Sequence, residues 1–108
     1  MNTITREELK AKLDRGDHFK LVMTLTEWHF RAMHIPSSIW VSSVDDALSQ
    51  LGRDEEIVVY CADVNCVASG TAYHLLTDNG YRNVRRYAGG VADWQAAGYP
   101  LVGEMVEA

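Results

Sequence analysis

Ile57-Val58-Val59-Tyr60-Cys61, followed by the loop Ala62-Asp63-Val64-Asn65-Cys66-Val67 and a helical pattern from Ala68, decides how this chain folds. A run of β-branched and aromatic residues reads as a buried strand. It delivers a thiol to the strand's carboxyl end, where a loop leads into the start of a helix. Open α/β sheets place their ligands at that edge. A helix start favours negative charge, and therefore thiolate over thiol. The loop amides of residues 62–67 would form a cradle for an anion, as backbone nests do. Spacing alone leaves a second reading open, a buried structural cysteine, because free cysteine is among the most buried residue types.

Working outward, short strands alternate with helices. Thr5 and Glu8 form a capping-box pattern, Ile4 can staple onto Leu9, and the helix they open runs to about Gly16. Phe19 to Met23 reads as a strand covered on both faces. Glu27 to Met33 reads as a short helix, His34-Ile35-Pro36-Ser37-Ser38 as a turn, and Ile39-Trp40-Val41 as a short strand. Ser43 caps a helix holding Ala47, Leu48 and Leu51. After the cysteine loop, Ala68, Ala72, Leu75 and Leu76 mark one helical face, which ends at Asn79-Gly80. Asn83 to Tyr87 is a further strand, and Gly89-Gly90 a turn needing positive φ. Val91 to Ala97 is a final helix ended by Gly98-Tyr99-Pro100. This order predicts one α/β domain over residues 1–108, with a central parallel sheet of four to five strands and helices on both faces. Residues 101–108 are expected to form a loosely held tail.

Composition excludes several partners. The net charge is −5, and the only basic cluster is Arg82, Arg85 and Arg86, too small to track a phosphate backbone, so nucleic acid is not expected. No apolar run reaches the ~20 residues of a membrane span, so no membrane is expected. Met1-Asn2-Thr3-Ile4 lacks the regions of a signal peptide, and two cysteines without an export signal suggest a reducing cytoplasm.

His34-Ile35-Pro36 with Ile39, Val58-Val59-Tyr60-Cys61, Asn79-Gly80-Tyr81-Arg82-Asn83-Val84, and Gly89-Gly90-Val91-Ala92-Asp93-Trp94 through Gly98-Tyr99-Pro100 together resemble a rhodanese-like domain in order and spacing. The resemblance implies that Cys61 is a nucleophile that accepts sulfane sulfur from a donor such as thiosulfate. It would hold the sulfur as a persulfide and pass it to a thiol or another nucleophilic acceptor. Ala62, Asp63, Val64, Asn65, Cys66 and Val67 would then be the substrate-binding loop. No metal or organic cofactor is implied. The partners would be a small sulfur donor and a thiol acceptor, a protein thiol included, and the oligomeric state is not indicated. Covalent transfer in two half-reactions is the expected mechanism.

The chain departs from the family pattern at three points. Met23-Thr24-Leu25 stands where the family has an Asp-x-Arg pair, which changes how the loops are pinned. The span from Cys61 to Ser69 is longer than in common single-domain members. Asp63 is the loop's only charged residue, and at ~5 Å a like charge costs on the order of 3 kcal/mol at an effective dielectric near 20. That opposes both a thiolate and bound thiosulfate. The expected enzyme is a sulfurtransferase, and two alternatives stand beside it. One is a binding or regulatory module of the same fold with weak or lost catalysis. The other is a dithiol redox protein using Cys61 and Cys66.

Cys66 makes Cys-x4-Cys and is a candidate resolving thiol, or else a small side chain filling the helix start. Zinc is not expected, because the spacing is wrong and no histidine pair completes a tetrahedral set. No arginine occurs between Arg53 and Arg82, so the oxyanion clamp of a related phosphatase is missing. His34 reads as a loop tie rather than a base, and Trp28, Trp40 and Trp94 as core or rim packing. Strand alternation sends Arg85 and Arg86 to opposite faces, with a solvated charge expected and a salt-bridge or partner-docking contact by one of them as the alternative.

Overall fold

The computed structural model describes residues 1–106. Its elements are α1 (Arg6–Arg15), β1 (Lys20–Met23), α2 (Glu27–Ala32), β2 (Ile39–Trp40), α3 (Val44–Gln50), β3 (Ile57–Tyr60), α4 (Ala68–Asp78), β4 (Val84–Tyr87) and α5 (Gly90–Ala96). The strands form one parallel sheet in the order β2-β1-β3-β4. From β1 the chain first winds outward to β2, then crosses to β3 and continues to β4. The order therefore reverses between β1 and β3, and the cysteine loop leaves the carboxyl end of β3 at that switch point.

Local chemistry explains the element ends. Thr5 accepts from the Glu8 amide while Glu8 accepts from the Thr5 amide, which closes the capping box of α1. Thr26 and Ser43 cap α2 and α3 in the same way. Val67, the first residue of α4's cap, offers no side-chain acceptor.

Alternation along the strands divides the core between the two faces. Leu21, Met23, Val58 and Tyr60 pack with Ile4 and Leu9 near α1 and with Trp94 of α5. Val22, Ile57 and Val59 pack on the other side with Ala47 of α3 and Leu76 of α4. Every residue of β3 is buried, as expected for a central strand covered twice. The α4 face differs from expectation in one respect. Ser69, Ala72, Tyr73 and Leu76 are its inward residues, an i, i+3, i+4, i+7 set, and this leaves Leu75 exposed. Trp94 is core and Trp40 is half-buried, but Trp28 is 65% exposed and meets the neighbouring His29 ring edge-on, which differs from the expectation of core or rim packing.

The expectation of a loose tail is corrected for residues 101–106. His34 and Val102 exchange backbone hydrogen bonds of 2.8 and 3.0 Å, and the Glu104 and Met105 amides donate to the Arg31 and Ala32 carbonyls. These bonds satisfy the carboxyl end of α2, which otherwise leaves its last carbonyls unpaired. Glu107 and Ala108 lie outside the described residues. At the other end, the Ile4 amide donates to the Arg86 carbonyl and the Arg86 amide to Asn2, so a short parallel bridge runs along the outer edge of β4. Among the described residues no helix is long and apolar enough to cross a membrane.

Candidate functional site

Cys61 follows β3 directly and is 1% exposed. It is bonded to Cys66 in a disulfide spanning a Cα–Cα distance of 6.2 Å, which is within the ordinary range for such a bridge. The intervening turn is built on Asp63. Its Oδ1 accepts from the Asn65 amide at 2.9 Å and its carbonyl accepts from the Cys66 amide at 3.1 Å. Two of the amides expected to cradle an anion are therefore spent inside the turn. The open bowl of peptide nitrogens around a free Cys61 thiol, expected from sequence, is not the arrangement present in this oxidised form. Asp63, Val64, Asn65 and Val67 are exposed, with Ala62 and Cys66 partly so.

Neighbouring elements hold the loop at both ends. The Val91 and Ala92 amides of α5 donate to the Cys61 and Ala62 carbonyls at 3.0 and 2.8 Å. This approach needs Gly90, whose φ is +67°, because a Cβ there would stand 2.5 Å from the Cys61 carbonyl oxygen. Gly89, by contrast, has φ −64°, so only one of the two glycines uses positive φ. At the other end, Arg86 of β4 donates from Nε to Ser69 Oγ at 2.8 Å and from Nη2 to the Cys66 carbonyl at 3.1 Å. Ser69 is 1% exposed in the first turn of α4. Arg85 points to the opposite face, where it meets the Thr3 carbonyl and Glu8. The two arginines do alternate, but neither is simply a solvated charge.

The strand end beside the loop is pinned without an Asp-x-Arg pair. Thr24 donates to the Tyr60 carbonyl from both its amide (3.0 Å) and its hydroxyl (3.1 Å), and Trp40 Nε1 donates to the Leu25 carbonyl at 2.7 Å. Tyr60 reaches back to the His34-Ile35-Pro36 turn. Its hydroxyl accepts from the Ile35 amide at 3.1 Å and lies 2.8 Å from Ser38 Oγ. Burial pushes the Tyr60 phenol up to about 12. His34 donates from Nδ1 to the Phe30 carbonyl at 2.6 Å and stacks on the Phe30 ring at 3.9 Å. It ties a loop, as expected.

Two open spaces flank the loop. A mainly apolar groove of about 670 Å³ lies between α3 and α4, with Trp40, Val44, Leu48, Leu75, Ala68 and Thr71 in its walls. A cleft of about 690 Å³ on the other face is bordered by Asp63, Val64, Gly89 and an Arg6–Asp93–Tyr87 chain. In that chain Arg6 donates to Asp93 at 3.1 Å and the Tyr87 hydroxyl donates to Asp93 at 2.6 Å. Burial, and after it the hydrogen bond to Asp93, raise the Tyr87 pKa. Neither cysteine lines either space.

A family model described as Rhodanese-like domain matches residues 5–97. The chain belongs to the rhodanese-like domain family. The rhodanese-like domain is 33% identical over 102 residues to a Mycobacterium tuberculosis protein described as an HTH-type transcriptional regulator, Rv0324. That match takes in 93% of this chain and 44% of the relative, so the chain spans less than half of that protein's length. Among solved structures, the Alr3790 protein of Anabaena sp. is 28% identical with a TM-score of 0.86, covering 95% of this chain and 94% of that one. A thiosulfate sulfurtransferase of Pseudomonas aeruginosa is 20% identical with a TM-score of 0.79, covering 95% of this chain and 20% of its own. At that identity the likeness is one of fold.

Sequence reading missed Arg86, Ser69 and Gly90 as neighbours of the cysteine loop in this rhodanese-like domain. Alternation along β4 sends one arginine of the pair toward α4. The register that sets Arg86 beside Cys66 depends on the sheet pairing Val59↔Arg86, which no local pattern encodes.

Proposed function

We propose that this domain takes up sulfane sulfur on Cys61 as a persulfide and that Cys66 resolves it. One observation supports the reading: at the sheet's switch point, Cys61, which the resemblance puts at the family's active-site position, is bonded to a second cysteine. In the reduced form, the Cys61 thiolate attacks the outer sulfur of a donor such as thiosulfate. The donor's sulfur–sulfur bond breaks, sulfite leaves, and Cys61 holds the transferred atom. An acceptor thiolate then either removes that outer sulfur, or Cys66 attacks Cys61 Sγ. The second course forms the disulfide and expels hydrosulfide. A dithiol reductant resets the pair. Because Cys61 is buried in the disulfide form, donor access requires the Asp63 turn to open after reduction.

The test is intact-protein mass spectrometry of chain that has been reduced, freed of reductant and exposed to thiosulfate, mercaptopyruvate or glutathione persulfide. Cys66→Ser should gain the mass of one sulfur. Wild type should release one equivalent of hydrosulfide and return to the disulfide, and Cys61→Ser should do neither. No adduct on Cys66→Ser with any donor overturns the reading.

A second reading draws on the relative described as a transcriptional regulator. The same dithiol would serve as a regulatory module that reacts once per reduction. Repeated sulfur transfer to an acceptor thiol favours the transferase, and a single turnover ending in the disulfide favours the module.

A further inference from the structure

We infer that Arg86 is a positioning residue that sets how readily the Cys61–Cys66 disulfide closes and reopens. This rests on the dithiol reading above and deepens it. The guanidinium is a two-pronged clamp, with Nε on the buried Ser69 hydroxyl and Nη2 on the Cys66 carbonyl. It fastens the returning limb of the loop and the first turn of α4 to one strand. That strand is itself in register with β3, which carries Cys61.

The rest of the loop offers little to replace this clamp. Between the cysteines the turn is held by two hydrogen bonds, both to Asp63. Three of its four inner residues, Asp63, Val64 and Asn65, are exposed. Val67, next to Cys66, is 78% exposed and gives α4 no side-chain cap. Apart from the disulfide, Cys66 has two ties, its amide on the Asp63 carbonyl and its carbonyl on Arg86, and of these the Arg86 bond is the one that reaches outside the loop. Bonds made to the closed loop and loosened in the open one favour closure by their full difference. A planar guanidinium suits this task because two fixed prongs define a direction, which a single ammonium does not.

The exchange that reports this balances as two protein thiols plus glutathione disulfide giving the protein disulfide plus two glutathione thiols, with two electrons passing to glutathione. The full chain is equilibrated in graded mixtures of reduced and oxidised glutathione, quenched with acid, alkylated and weighed. Arg86→Gln should lower the equilibrium constant for closing the disulfide by about tenfold. Arg86→Lys should recover less than half of that loss on a logarithmic scale. Ser69→Ala, which removes one anchor and keeps the arginine, should shift it in the same direction by a few-fold.

An Arg86→Gln constant within about twofold of wild type overturns the inference, and so does full recovery by Arg86→Lys, which would assign the effect to charge alone. If Arg86→Gln does not fold, Ser69→Ala decides, and an unchanged constant there overturns it. Sulfur loading of the Cys66→Ser variant is scored separately. Its failure sinks the persulfide reading and leaves the glutathione result standing, and the reverse also holds.

Discussion

Tyr60 shows how one side chain can join a sheet to a turn far from it in sequence. Its ring sits in the core and its hydroxyl receives the Ile35 amide and meets Ser38. Tyr60→Phe would strand a buried amide, a loss of roughly 1–3 kcal/mol in urea unfolding at neutral pH. The phenol also fixes a pH dependence. Its folded pKa of about 12 lies above the ordinary 10.0, so its contribution is complete below pH 10 and drains away as pH rises through about 12. Urea midpoints measured across that window should fall more steeply for wild type than for Tyr60→Phe. Parallel curves would show that the buried phenol is not the cause.

Among the elements, α5 depends most on a single backbone position. Its amides reach the Cys61 and Ala62 carbonyls only because Gly90 turns with positive φ and carries no Cβ. Gly90→Ala adds left-handed strain to a backbone collision, for an expected loss of roughly 2–4 kcal/mol at an unchanged denaturant slope. A loss below about 1 kcal/mol would mean that α5 can back away freely. Elements of this kind were legible where their signals are local. The Thr5–Glu8 box, the Ser43 cap and the apolar β3 run each name their own structure. Leu75 misled because Leu75 and Leu76 are adjacent and only one can face inward, a choice made by the partner surface. The loop misled for a related reason. In sequence Asp63 is a charge near a thiol, whereas in the structure its oxygens build the turn and the nearby cation comes from β4.

For the molecule as a whole, the disulfide closes a short ring. With Cys61 and Cys66 five positions apart, chain entropy assigns it about 2 kcal/mol. A small domain typically holds 5–15 kcal/mol, and neither core cluster includes Cys61 or Cys66. Reduction should therefore lower the melting temperature by roughly 10 °C and leave the far-ultraviolet circular dichroism unchanged. Collapse of the fold on reduction would refute this and would make the bridge a staple rather than a working dithiol. The placement of Cys61 was legible from pattern and order, and Cys66 was legible only as a candidate partner. Cys-x4-Cys permits a bridge without requiring one, and the turn that permits it depends on long-range contacts. The borders of the sheet carry a last consequence. β2 has two residues and the rim of β4 is already occupied by Asn2 to Ile4. Neither flank offers a stranger's strand a long unpaired ladder, which guards the sheet against edge-to-edge association with other chains.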